Sequence, residues 1–207
     1  MERNQNRQIT DNKSIRGRLF SPHNLALMAA LIAMQIVLAR FLSIQVSDTL
    51  RISFESIPVI LAGMWLGPVP GAVVAVLADF LGTIIHGYGA WFPPLVLGPM
   101  MVGILSGVST KYIFRSPLAE NKDLWKVIAT VLVVGILNSF CFGLIGSTLY
   151  SCIMVRHDTT IFWILLGTNF VQRLATKPLT IAVDTFMVVI INRAVYKPVV
   201  SHILSRA

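Results

Sequence analysis

Charge is scarce in this chain. Of its 207 residues only 13% are Asp, Glu, Lys or Arg, against 55% hydrophobic, where soluble domains carry about 25% charged residues. That scarcity excludes an ordinary soluble domain and points to an integral membrane protein. Cysteine is scarcer still. Cys141 and Cys152 offer neither a disulfide framework nor metal-ligand spacing, and both read as small buried hydrophobes. The common catalytic motifs are also missing: there is no GxxxxGK(S/T) phosphate loop, no HExxH, no CxxC and no GxSxG. The chain therefore cannot hydrolyse ATP through a phosphate loop, and nothing in it reads as an enzyme. His23, His86, His157 and His202 are scattered over loops and ends and read as solvated. The first twenty residues lack the apolar run of a cleavable signal. Residues 1–20 read instead as a polar tail before one membrane domain, 21–207.

What is present is a formal net charge of +8, and its location decides its meaning. Twelve of the seventeen Lys and Arg lie in three places: Arg3 to Arg18, Lys111 to Lys126, and Arg193 to Arg206. An even number of spans puts these three on one side, which the positive-inside rule makes cytoplasmic. No basic stripe with interleaved aromatics is left to suggest nucleic acid. The predicted fold is an all-α bundle of six membrane helices with both termini inside.

The spans can be placed from hydrophobic runs long enough for a hydrocarbon core of about 30 Å. They fall near Leu25–Ile44, Ile57–Leu66, Ala72–Ile85, Leu95–Ile113, Lys126–Tyr150 and Gln172–Arg193. The second is short. The apolar stretch 161–170 either prolongs the sixth helix outward or covers the bundle. Gly63, Gly67 and Gly71 recur every four residues, and Gly98, Gly103 and Gly107 supply small surfaces to the fourth span. On the first span Ala26, Ala29, Ala30 and Ala33 follow i, i+3, i+4, i+7 spacing, which lets another helix approach closely. That face suits packing inside the bundle or docking of an outside subunit.

Five cations remain once topology is accounted for: Arg40, Arg51, Arg156, Arg173 and Lys177. All map to the outer half or outer loops, where acids are few, so an outward pocket there should favour an anionic solute. Asn169, Gln172, Arg173 and Lys177 form a polar stripe on an otherwise apolar span. Phe54, Tyr88, Trp91, Phe92 and Trp163 lie near the outer ends. Singly, each suits an interfacial belt; together, Phe54 and Trp91 could sandwich a flat heterocycle. Asp79 is the one carboxylate of the third span. An ionised Asp at that depth costs about 2.5–3.5 kcal/mol on the insertion scale, so it should face a cavity or a partner. It could accept two parallel donors from a planar ligand or pair structurally with Arg40 or a hydroxyl. Asn138 and Asp184 read as glue between helices.

The stretch Leu50 to Gly82, LRISFESIPVILAGMWLGPVPGAVVAVLADFLG, resembles the second and third helices of substrate-binding S-components of energy-coupling factor (ECF) vitamin transporters. The acid within Ala78-Asp79-Phe80 is similar to the folate branch. The resemblance covers nearly the whole chain. It implies folate capture at an outward site and a bacterial plasma membrane location. It also implies docking on a membrane coupling subunit with two ABC-type ATPase subunits. ATP would be used only by those partners, and no cofactor is expected. The alanine face matches the family's AxxxA docking motif, as Ala26/Ala30 or Ala29/Ala33. Resemblance also marks Arg40, Asn169, Gln172 and Arg173 as ligand contacts. Placing Asp79 on the pterin edge and Lys177 or Arg51 near the glutamate tail is inference from chemistry. An S-component for riboflavin, pantothenate or another pterin- or purine-like solute is the alternative. A proton-relay channel or small membrane enzyme built on Asp79 lacks a second acid at matching depth.

Overall fold

The computed structural model describes residues 21–41, 44–45, 51–52, 54–85, 93–114, 124–155 and 159–196. The expected tail, 1–20, and Trp91 lie outside them. Helix α1 spans Pro22–Phe41. Pro22 opens it, where a missing N–H costs nothing, and the Leu25 N–H closes the first turn on the Ser21 carbonyl at 2.9 Å. A two-residue antiparallel ribbon follows, β1 Ile44–Gln45 with β2 Arg51–Ile52, pairing Ile44 with Ile52. This ribbon is a small addition to an otherwise helical chain.

Helix α2, Ser56–Leu66, has 11 residues and every one from Ile57 to Trp65 is buried. At 1.5 Å per residue it covers about 16 Å, half a hydrocarbon core. A helix that is apolar all round belongs at a centre, and α2 packs on α1, α3, α4 and the last helix. It ends at Gly67, whose φ of 103° turns the chain straight into α3, Pro68–Ile85. Helix α4, Pro93–Val108, tightens no further but widens into a π turn, Ser109–Phe114. Helix α5, Leu124–Leu137, passes through a second π turn, Asn138–Phe142, into α6, Gly143–Val155. Helix α7, Thr159–Val195, runs 37 residues without a break, about 55 Å at helical rise. The apolar stretch 161–170 therefore prolongs the helix, and Pro178 sits inside it.

Among the described residues five helices are long and apolar enough to cross a membrane, and Ser56–Leu66 is the shorter sixth. The chain is a multi-pass membrane protein. Its surface is correspondingly apolar: Ile84, Val171 and Phe186 are each two-thirds exposed, as side chains facing lipid should be.

The glycines explain the tightest packing. A Cβ on Gly63 would strike the Gly103 carbonyl and the Ser106 hydroxyl. One on Gly103 would strike the Gly71 carbonyl, and one on Gly107 the Pro68 nitrogen. Three backbones thus meet where α2, α3 and α4 cross, as small-residue spacing permits in membranes. A buried hydrogen bond ties the same core to α7: Trp65 Nε1 donates to Asn192 Oδ1 at 2.8 Å.

Candidate functional site: a polar cavity between the helices

An apolar bundle holds an internal polar face only if something organises it. Helix α7 carries such a face, because Arg173, Lys177, Thr180, Asp184 and Asn192 recur at helical spacing, interrupted only by Val188. Thr180, Asp184, Val188 and Asn192 are buried. The threonine hydroxyls are satisfied within the helix, Thr176 donating to the Gln172 carbonyl at 3.0 Å and Thr180 to the Thr176 carbonyl at 2.9 Å. The longer charged side chains are left to reach across the bundle.

They meet in a cavity of about 230 Å³. Asp79 of α3, Arg173 and Lys177 of α7, Gln35 of α1, Glu55 beside α2 and Asn138 of the π turn all line it. Local backbone departures open the space. Pro99, inside α4, cannot donate to the Leu95 carbonyl, and Leu95, Gly98 and Pro99 all lie on the cavity wall. On the facing side, the π turn that begins at Asn138 widens the α5–α6 helix, a distortion common at functional sites. Arg173 Nη1 donates to the Ser139 carbonyl in that turn at 3.2 Å.

A smaller chamber of about 80 Å³ adjoins the first, and Glu55, Ser56, Val102, Asn138 and Lys177 line both. Asp184 lines the smaller one beside Ser56. One carboxylate oxygen of Asp184 and the amide oxygens of Asn138 and Gln35 are buried without a hydrogen-bond partner. Buried acceptors in that state are rare and call for an explanation.

The sequence expectations divide here. Asp79, Arg173 and Lys177 come together in one cavity. Phe54, Asn169 and Gln172 are half-buried and do not line either chamber. Arg40 falls on α1 and Arg51 on β2, with their side chains outside the description; Trp91 is outside it altogether. Trp163 is 68% exposed and packs edge-on against Phe162 at 5.7 Å, which suits the interfacial belt. Two readings need correction. Asn138 and Asp184 are more than glue between helices, because both line cavity walls. The cavity also lacks surplus positive charge among its described residues, since Glu55 and Asp79 balance Arg173 and Lys177. That leaves the anionic-solute argument to the two arginines whose side chains are not described. Gln35 and Glu55 were missed as cavity residues. Helical spacing on α1 places Gln35 in the buried row Asn24, Met28, Leu31, Gln35, a signal available from the sequence.

The chain matches the family model described as the substrate-specific component of ECF transporters over residues 23–194. It belongs to that family. Among its relatives, this S-component is 37% identical over 107 residues to the folate transporter FolT of Clostridium novyi (strain NT), an alignment covering 51% of this chain and 60% of the relative. The chain thus spans less than two-thirds of that relative's length. FolT of Leuconostoc mesenteroides subsp. mesenteroides is 25% identical over 162 residues, covering 78% of this chain and 82% of the relative. In fold the S-component is similar to the crystal structure of FolT bound with folic acid. That match has a TM-score of 0.59 at 22% identity, over 81% of this chain and 93% of the other.

Proposed function

We propose that this S-component captures folate from outside a bacterial cell and delivers it inward while docked on an ATP-driven coupling module. The single observation that carries the reading is the mixed cavity. It gathers Asp79, Arg173 and Lys177 from two helices far apart in sequence, and folate has both a donor edge and an anionic tail. Similarity to two FolT proteins supports the choice of ligand. In this reading Asp79 accepts the paired donors of the pterin edge, Arg173 contacts the ligand, and Lys177 or Arg51 faces the fixed negative charge of the glutamate tail. The reading also expects ligand contacts from Arg40, Arg51, Phe54, Trp91, Asn169 and Gln172. The protein itself performs no catalysis, needs no cofactor and leaves ATP to two ABC-type subunits.

Docking falls to α1. Ala26, Ala29, Ala30 and Ala33 are all exposed on one side of it, the small-residue surface a membrane partner can approach closely. The clusters of Lys and Arg at both termini and in the middle loop support cytoplasmic ends in the plasma membrane.

Folate titration of the purified protein tests the reading through tryptophan fluorescence. We expect stoichiometric binding. Arg173→Ala should weaken it thirtyfold or more, since truncating one member of a buried charged contact costs about 2–5 kcal/mol. Stoichiometric binding of riboflavin with no response to folate would overturn the ligand assignment.

A further inference from the structure

Gln35 lines the larger cavity, and the proposed function gives it no role. It is 6% exposed, its amide oxygen has no hydrogen-bond partner, and it lines the larger cavity with Asp79. A buried amide left unsatisfied costs about 1–3 kcal/mol. An apolar residue of similar shape would avoid that cost, and the neighbouring positions Met34 and Ile36 are apolar. Packing alone thus gives no reason for glutamine here. Helix α1 packs directly on α3, so the two side chains enter the cavity from adjacent helices.

We propose that Gln35 is a specificity-determining residue that contacts the ligand. With Asp79 it forms an acceptor pair reading the amino-bearing edge of a planar heterocycle. The inference rests on the folate reading. A 2-amino group carries two N–H bonds. If the Asp79 carboxylate accepts one of them together with the ring N3–H, the second N–H still needs an acceptor. The Gln35 amide oxygen is an unused acceptor on the same wall. Unfilled, it is a standing cost in the empty protein; filled, it rejects solutes that lack the amino group. Sites built to hydrogen-bond a polar group discriminate strongly against the analogue without it.

The test compares folic acid with 2-desamino-2-methylfolic acid in fluorescence titrations of wild type and Gln35→Leu. Wild type should prefer folic acid. Gln35→Leu should bind folic acid about tenfold more weakly, the loss of one hydrogen bond, yet bind the desamino analogue as wild type does. The ligand-free variant should unfold at the same or a higher temperature, which a purely structural glutamine would not allow. Gln35→Met, nearer in shape, is the second variant should leucine fail to fold. Equal losses for both ligands, unchanged binding of both, or failure of both variants to fold would each overturn the proposal. A wild-type protein that binds neither pterin would bring down the folate reading and this one together. Folate binding with an unaltered preference in the variants would sink this one alone.

Discussion

Helix α4 builds two opposite environments within ten residues. At Gly103 and Gly107 it presses backbone to backbone against α2 and α3, with no room for a methyl group. Just before Gly103, at Gly98, Pro99 and Val102, the same helix walls a cavity. Glycine serves both environments, with different partners. Where it meets other glycines and the Gly67 turn, helices collapse onto each other. Where it adjoins a proline that frees a carbonyl, space remains. A membrane bundle gains little from the hydrophobic effect between helices, because lipid tails are as apolar as leucine. Close backbone packing at one end must then hold open a polar chamber at the other.

The most damaging way to break this comparison is to add bulk at the closed crossing. Gly103→Val should abolish the folded bundle. Its side chain would enter the Gly71 carbonyl and the Ala72 nitrogen, which are backbone atoms with no rotamer to give way. Overpacking already costs about 1–3 kcal/mol in adaptable cores, and here nothing is adaptable. Gly98→Ala, on the open wall, is the control and should fold. Size-exclusion profiles and thermal unfolding in detergent check both, and a well-folded Gly103→Val would refute the division of labour along α4.

The closed region is more legible in the sequence than the open one. Glycines spaced by four on α2 and α3, and Gly103 and Gly107 on α4, signal close approach before any coordinates are seen, because no other residue removes the Cβ. Asp79, Arg173 and Lys177 are visible as isolated charges in apolar runs. The remainder of the site depends on distortions that single residues do not announce. Nothing in Asn138-Ser139-Phe140 forecasts a π turn. Glu55 reads as a loop acid until α2 begins beside it at Ser56. Asp184, two turns from Lys177 on the same face, could have been assigned to a chamber by spacing alone; glue and cavity wall share that pattern. Gln35 lies on α1 opposite the alanines, so a face read for docking conceals a face turned inward.

A second comparison sets the two sides of α1 against each other. The alanine side is exposed and the Gln35 side buried. Ala30→Leu should therefore leave folate affinity within about twofold and leave stability unchanged, since surface changes usually stay within about 0.5 kcal/mol. It should sharply reduce both copurification with the coupling subunit and ATP-driven uptake in vesicles containing the whole transporter. Normal uptake by Ala30→Leu together with Ala29→Leu would move the docking surface elsewhere.

The smallest expected effect lies at the far end of the bundle, where Trp65 and Asn192 join the central helix to α7. Trp65→Phe keeps an aromatic ring in a site 9% exposed but removes the donor that reaches Asn192 Oδ1. One neutral hydrogen bond contributes about 1 kcal/mol net, which in a domain of this size lowers the midpoint of unfolding by about 2–4 °C. Folate affinity should stay where it is, because neither residue lines the cavity. A change in affinity without a change in stability would mean that the α2–α7 junction transmits to the site. The closed core would then be part of the binding machinery as well as its frame.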